Sequence, residues 1–374
     1  MAEMIMALWI VVAILFAMFS AYYLLRVVKK PQLVYQDNAH NRELLARCQT
    51  LQRPYWVTPW MFNTHLQLLF LGLKKALAPK LNYDRTDQLK TSDGGTLAVE
   101  WLGADLPEET PTLVLLHTIS GSAHSMRSFV RYIHKQLGWR VAVCIRRGHS
   151  GLPLTSARFN TMGCSDDFRL QLQHIETSFP QSPLFAVGIS AGSGVLARYL
   201  GEAGEDTPLR AAVAYCPGYD LEIAFQRSHP FYSKMMAKKL ARTFLVGQEQ
   251  HFGHLPGYQK ALRAENLQQL HDHIYQVAGY DSYEEYVLAT NPVACFENIS
   301  VPTMIINAKD DPVCHIDNAL EKAEQIASME NLLLVMTERG SHCAYFEGLT
   351  AKSWANRSIA DYLNYFYQQK RSGR

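Results

Sequence analysis

The chain has almost no net charge: 36 lysines and arginines against 34 aspartates and glutamates leave +2 over 374 residues. Nothing in that balance calls for a nucleic-acid partner. Paired cysteines are missing as well. Cys48, Cys144, Cys164, Cys216, Cys295, Cys314 and Cys343 are scattered, odd in number and without a CxxC spacing. They read as small buried apolar residues, so neither a disulfide framework nor a metal site is expected. No internal repeat or low-complexity block appears, and 48% hydrophobic with 19% charged residues is not a disordered composition.

Charge is absent altogether from Met4 to Leu25, 22 residues rich in Ile, Val, Ala, Leu and Phe. As a helix this run would extend roughly 33 Å, enough for a bilayer. The basic start of a cleaved leader is lacking, since Glu3 precedes the run, and Trp9, Tyr22 and Tyr23 lie near its ends. An uncleaved single-pass anchor is therefore expected. Arg26, Lys29 and Lys30 follow at once, and the positive-inside rule puts that flank and the rest of the chain on the cytoplasmic side. Two short glycosylation patterns, Asn298-Ile299-Ser300 and Asn356-Arg357-Ser358, argue the other way.

What the chain does have is Leu184 to Leu200, LFAVGISAGSGVLARYL. An apolar run of strand length passes through Gly188-Ile189-Ser190-Ala191-Gly192 into helically spaced Val195, Leu196 and Tyr199. A strand, sharp turn and helix of this kind is a nucleophile elbow: glycines remove the Cβ atoms that would collide, and Ser190 stands exposed at the strand's end. The N–H of Ala191, at the positive end of the helix, is then one donor for a developing oxyanion.

The remainder is organised around that turn. Residues 26–80 form a connecting region in which Pro54-Tyr55-Trp56-Val57-Thr58-Pro59-Trp60 excludes a continuous helix and either packs on the domain or lies at the membrane interface. From residue 81 to 374 a single domain is expected. Strands are predicted at Thr96–Leu102, Thr112–Leu116, Trp139–Ile145, Leu184–Ile189, Leu209–Tyr215, Thr303–Asn307 and Leu332–Met336. Helices are predicted at 128–137, 165–178, 319–327 and 351–367, so the alternation implies an α/β fold with a mostly parallel sheet covered on both faces. Residues 221–290 break the alternation and read as a helical lid insertion. Within it Phe231 to Val246 forms a basic amphipathic helix, with Phe231, Tyr232, Met235, Met236 and Leu240 as its apolar stripe.

Acyl transfer by serine requires a base, an acid to hold that base, and oxyanion donors. Ser190, Asp311 and His342 occur in the order expected on a parallel sheet, each just after a predicted strand. Asp310 competes for the acid role, and Asp311, adjacent to Pro312, is preferred. The second donor is expected in the loop after Leu116, at Ile119 with Thr118 as the alternative. No cofactor is implied.

From about Tyr35 onward the chain resembles the membrane-anchored α/β-hydrolase lipases and esterases, a group with monoacylglycerol lipases, phospholipase-like members and bacterial esterases. The resemblance rests on Pro54 to Gln67, Asp93-Gly94-Gly95, Arg147-Gly148, the elbow with Ala197 to Glu202, Tyr280 to Tyr286, Asn307 to Pro312 and His342 to Gly348. It implies Ser190, Asp311 and His342 as nucleophile, acid and base, and a lipid ester as substrate. Two positions depart from the pattern: Thr118 stands where the family has a glycine, and Ser193 where a second glycine usually follows the elbow. The departure at Thr118 motivates a second reading, a lipid-binding or receptor protein without turnover. Transfer of the acyl group to an acceptor other than water is a third, weakened by the lack of a His-x-x-x-x-Asp signature.

Overall fold

A computed structural model describes residues 1–159 and 164–371. Nine strands form one sheet in the order β1-β9-β8-β7-β6-β4-β5-β3-β2. In chain order these are β1 (Gln32–Tyr35), β2 (Arg85–Lys90), β3 (Thr96–Leu102), β4 (Thr112–Leu116), β5 (Arg140–Ile145), β6 (Leu184–Ile189), β7 (Leu209–Tyr215), β8 (Thr303–Ala308) and β9 (Leu332–Thr337). The block from β5 to β9 is parallel, while β3 on β5, β2 on β3 and β1 on β9 pair antiparallel. Parallel strands need both faces covered, which is why the central strands are continuous apolar runs. Successive side chains of β6 divide accordingly: Phe185, Val187 and Ile189 enter one core with Trp139 and Trp354, and Leu184 and Ala186 enter the other with Phe168 and Leu196.

The connecting region is more integral than a packed-on segment. Its residues Gln32–Tyr35 supply the edge strand β1, paired with Leu333–Met336. Further along, a connector helix spans Thr64–Leu77, capped by the Asn63 side chain accepting from the His65 N–H at 2.9 Å. Ahead of it all, the helix Ala2–Tyr22 runs on through a π-helical stretch to Val27, 26 residues long and apolar enough to cross a membrane.

Several boundaries differ from the sequence expectation, each for a local reason. The helix expected from 128 starts at Ala123, because Ser122 and Ser125 form a reciprocal capping box. The segment 319–327 is two short helices, Asp317–Leu320 and Ala323–Ser328. The last helix starts at Trp354, after Ala351 adopts φ +50° and a two-residue hairpin intervenes. The second glycosylation pattern falls in that helix, with Ser358 buried and its hydroxyl donating to Trp354 O at 3.0 Å.

Residues 221–290 contain helices and turns and no strand. The insertion helix Pro230–Leu240 widens into a π-helical turn, Ala241–Leu245. Leu240, Phe244, Phe252, Tyr258 and Leu270 build a core distinct from the two on the sheet, and Ile119 packs against it.

Candidate active site

The turn after β6 is held by its neighbours. Ser190 sits at φ +54°, ψ −119°, its N–H donating to Tyr215 O at 2.8 Å, while its own carbonyl accepts from Ser193 N at 2.8 Å. A side chain at Gly188 would collide with the carbonyl of Gly192, and one at Gly192 with that of Leu116. The strained serine is thus fixed between β4, β7 and its own helix. Ser193, the second departure from the family pattern, is fully buried and bonds back to Ser190 O.

The structure brings Ser190, Asp311 and His342 together. Nε2 of His342 lies 2.8 Å from Ser190 Oγ, and Nδ1 lies 2.8 Å from Asp311 Oδ2. Asp311 keeps its other oxygen engaged by the N–H groups of Val313 (2.7 Å) and Cys314 (2.9 Å), so its orientation is set by the turn that Pro312 begins. Asp310 faces elsewhere, its Oδ1 accepting from Ser341 N at 2.8 Å. Burial opposes protonation of His342, but the neighbouring Asp311 carboxylate outweighs it and holds the imidazole well above the usual histidine range. Burial pushes the nearby Cys314 thiol up to about 11, so it meets the ring uncharged at neutral pH.

Ile119 and Ala191 line one cleft with Ser190, of about 520 Å³. The loop carrying Ile119 is pinned by groups the sequence reading did not single out. Thr118 O accepts from Arg146 Nη2 at 2.7 Å and from Gly121 N at 2.9 Å, and Ile119 O lies 3.0 Å from His149 Nε2. In a trans peptide the N–H points opposite to the carbonyl. Tethering Thr118 O toward Arg146 therefore turns the Ile119 N–H away from Arg146. Arg146 is 7% exposed, and burial lowers it to about 10 against the pull of the Asp167 carboxylate. Its neighbour Arg147 pairs bidentately with Asp167 at 2.8 Å and also with Asp93. Burial and the adjacent Arg146 bring His149 down to about 3; its ring nitrogens face two carbonyls, Arg147 O at 2.9 Å and Ile119 O at 3.0 Å, and a neutral imidazole donates to one of them.

Thr64, at the start of the connector helix, is another residue the sequence did not reveal. Its Oγ1 lies 2.7 Å from both Asp310 O and Ser341 Oγ, tying together the two loops that carry Asp311 and His342. Among the described residues, two donor sets for soft metal ions lie within 4.8 Å: Cys216, His342 and Cys343, and Asp311, Cys314 and His342. Both include the imidazole already engaged at each nitrogen, so an ion there would compete with the Ser190 and Asp311 hydrogen bonds.

This arrangement can take a proton from a hydroxyl and return it to a leaving group. A second, apolar cavity of about 490 Å³ adjoins the cleft, and Ile119 and Leu267 line both.

Known proteins share this fold. A family model described as the α/β-hydrolase fold matches residues 111–349. The chain is 27% identical over 396 residues to the monoacylglycerol lipase ABHD2 of Mus musculus, covering 97% of this chain and 92% of the relative. It is 25% identical over 366 residues to the phospholipase ABHD3 of Bos taurus, covering 94% and 86%. Among solved structures, the Pyrococcus furiosus esterase Pf2001 shares the fold with a TM-score of 0.51 at 16% identity, over 76% of this chain and 91% of that one. The chain belongs to the α/β-hydrolase fold family, as an enzyme of the lipase and esterase type.

Proposed function

We propose that the protein is a membrane-anchored serine hydrolase that cleaves carboxylic esters of lipids, monoacylglycerols first and phospholipids second. One observation carries the reading: a single imidazole within 2.8 Å of both a strained serine and a buried carboxylate. Ser190 Oγ attacks the ester carbonyl as His342 Nε2 takes its proton. His342 then gives that proton to the departing alcohol, leaving an acyl group on Ser190. Water, activated by the same imidazole, releases the acid. Asp311 holds Nδ1–H and offsets the charge of the imidazolium. The N–H groups of Ile119 and Ala191 stabilise the oxyanion, each by roughly 3 kcal/mol.

The apolar cleft and cavity suit an acyl chain, and the names of the relatives, a monoacylglycerol lipase and a phospholipase, point to the same substrate class. In this reading residues 4–25 anchor the chain, 26–80 connect it, and 81–374 form the hydrolase domain with residues 221–290 as its lid. Arg26, Lys29 and Lys30 after the anchor favour a cytoplasmic catalytic domain.

The test is labelling of the full-length chain in detergent with a fluorophosphonate probe, alongside a panel of acyl esters. Wild type should label and turn over lipid esters, and Ser190→Ala should do neither while unfolding at the wild-type temperature. Lipid binding that persists in both proteins, with no ester cleaved by either, would replace this reading with a non-catalytic one.

A further inference from the structure

We propose that the outward faces of the connector helix and the insertion helix together form a docking surface for an anionic lipid bilayer, on which the domain rests with its cleft toward the membrane. The inference rests on the membrane-anchored reading above and adds where and how the catalytic domain itself meets lipid. On the connector helix, Leu66, Leu69, Leu73 and Leu77 are 45%, 72%, 52% and 73% exposed. Their spacing of three and four residues aligns them along one stripe. The flank beside the stripe is the one that packs: Gln67 is fully buried, and Phe70 and Leu71 lie on the small core of Met61 and Phe346. On the insertion helix, Tyr232, Ala237 and Leu240 turn inward, leaving Phe231 and Met235 exposed among Lys234, Lys238 and Lys239.

The two helices are neighbours. His65 Nδ1 lies 2.8 Å from Tyr232 Oη near the start of both helices, and further along Lys75 and Lys239 are close enough for their charges to interact. The same surface continues into the apolar N-terminal helix: Phe19 packs edge-on against Phe62 at 5.6 Å, and Tyr23 meets Trp56 at 6.5 Å. Trp56 and Trp60, both half exposed, lie in the segment between.

A protein partner would satisfy exposed leucines equally well, but two observations favour lipid. The patch is continuous with a helix of bilayer-spanning length, which holds it beside a membrane, and its rim carries tryptophans and lysines, the side chains that suit headgroups. The docking helices also touch the site: Met236 lines the cleft with Ser190, and Thr64 bonds the loops of Asp311 and His342. A lipid ester could then pass from bilayer to cleft without crossing bulk water, which for a long acyl chain removes a large hydrophobic cost.

Full-length protein in nanodiscs tests this. With a monoacylglycerol in the disc and p-nitrophenyl acetate in solution as paired substrates, Leu69→Glu combined with Leu73→Glu should lower the disc rate about tenfold and leave the soluble rate unchanged. Lys238→Glu with Lys239→Glu should lower the disc rate about tenfold only when phosphatidylserine is present, and salt should abolish the difference. Equal loss on both substrates, or no loss on either, overturns the proposal. If wild type cleaves neither substrate, the hydrolase reading fails on its own, and docking is then decided by a benzophenone amino acid at position 69 or 235. Its crosslink to lipid, with none from the exposed position 205, supports docking; a crosslink only to protein, or none, refutes it.

Discussion

Asp311 and His342 are electrically coupled across a 2.8 Å contact. The imidazole must be neutral to accept the Ser190 proton, and Asp311 raises its pKa well above the ordinary value near 6.5. Activity should therefore fall as pH falls through that raised pKa. In kcat/KM against pH for a soluble ester, we expect an inflection above the ordinary histidine range. Asp311→Asn should move it downward while costing roughly 10⁴-fold in rate. An inflection at the same pH in both proteins would show that the carboxylate does not set it.

Arg146 invites a second residue-scale experiment. A buried guanidinium costs stability unless it serves something, and here its hydrogen bond fixes the Thr118–Ile119 peptide plane. Arg146→Met should lower kcat by about 10² with KM little changed, and weaken a boronic-acid transition-state analogue in the same proportion. Arg146→Lys, which keeps the charge but not the fork, should recover only part of this. A change confined to KM would reject the positioning role. Asp310 offers a stability test: burial raises its carboxyl from 3.8 to about 6. A raised acid favours the fold fully below its unfolded pKa, and that contribution is lost as pH climbs from about 4 to 6. Asp310→Asn should thus unfold at a higher temperature than wild type at pH 8, and the gap should close near pH 4.

Legibility in the sequence followed the kind of constraint each residue obeys. Ser190, Asp311 and His342 were visible because each must follow a strand in a fixed chain order. Thr64 and Arg146 were not, because they act on loops 246 and 28 residues away, and nothing local to either residue encodes that distance. The doublet Arg146-Arg147 after a buried strand was the one available signal, since two charges at a buried strand end need partners.

For the secondary-structure elements, the central strands were legible as apolar runs and the edges were not. β2 is RTDQLK, with its side chains alternating between exposed and half-buried, and β1 is four residues long. Such strands form because a neighbour offers unpaired N–H and C=O groups, a tertiary cause. The elbow is the contrary case, where local sequence dictates geometry. Gly192→Ala would place a methyl group against the Leu116 carbonyl, a backbone atom that can yield only by moving β4. We expect loss of fluorophosphonate labelling by about 10² and a lower unfolding temperature, with far-UV dichroism retained. Wild-type labelling of that variant would mean the turn tolerates a Cβ and is not held as described.

At the scale of the whole molecule, the cleft at Ser190 and the apolar cavity beside it are each built jointly by residues 221–290 and by the loops at the sheet's edge. Leu267, from the insertion, and Ile119, from the loop after β4, are the residues that line both spaces. An acyl chain bound at Ser190 would have to pass between them to fill the second cavity, whose lining of Phe159, Leu240 and Phe244 is apolar. Leu267→Trp should narrow that passage while sparing Ser190, His342 and the backbone of Ile119 and Ala191. Denying burial to about four methylenes at ~0.8 kcal/mol each costs about 3 kcal/mol, on the order of a hundredfold in kcat/KM. The loss should therefore appear between butanoyl and dodecanoyl esters and be absent for acetyl esters. A uniform decline across chain lengths would place the long chain elsewhere, along the outer cleft, and make the inner cavity a packing defect of the insertion instead of an acyl site.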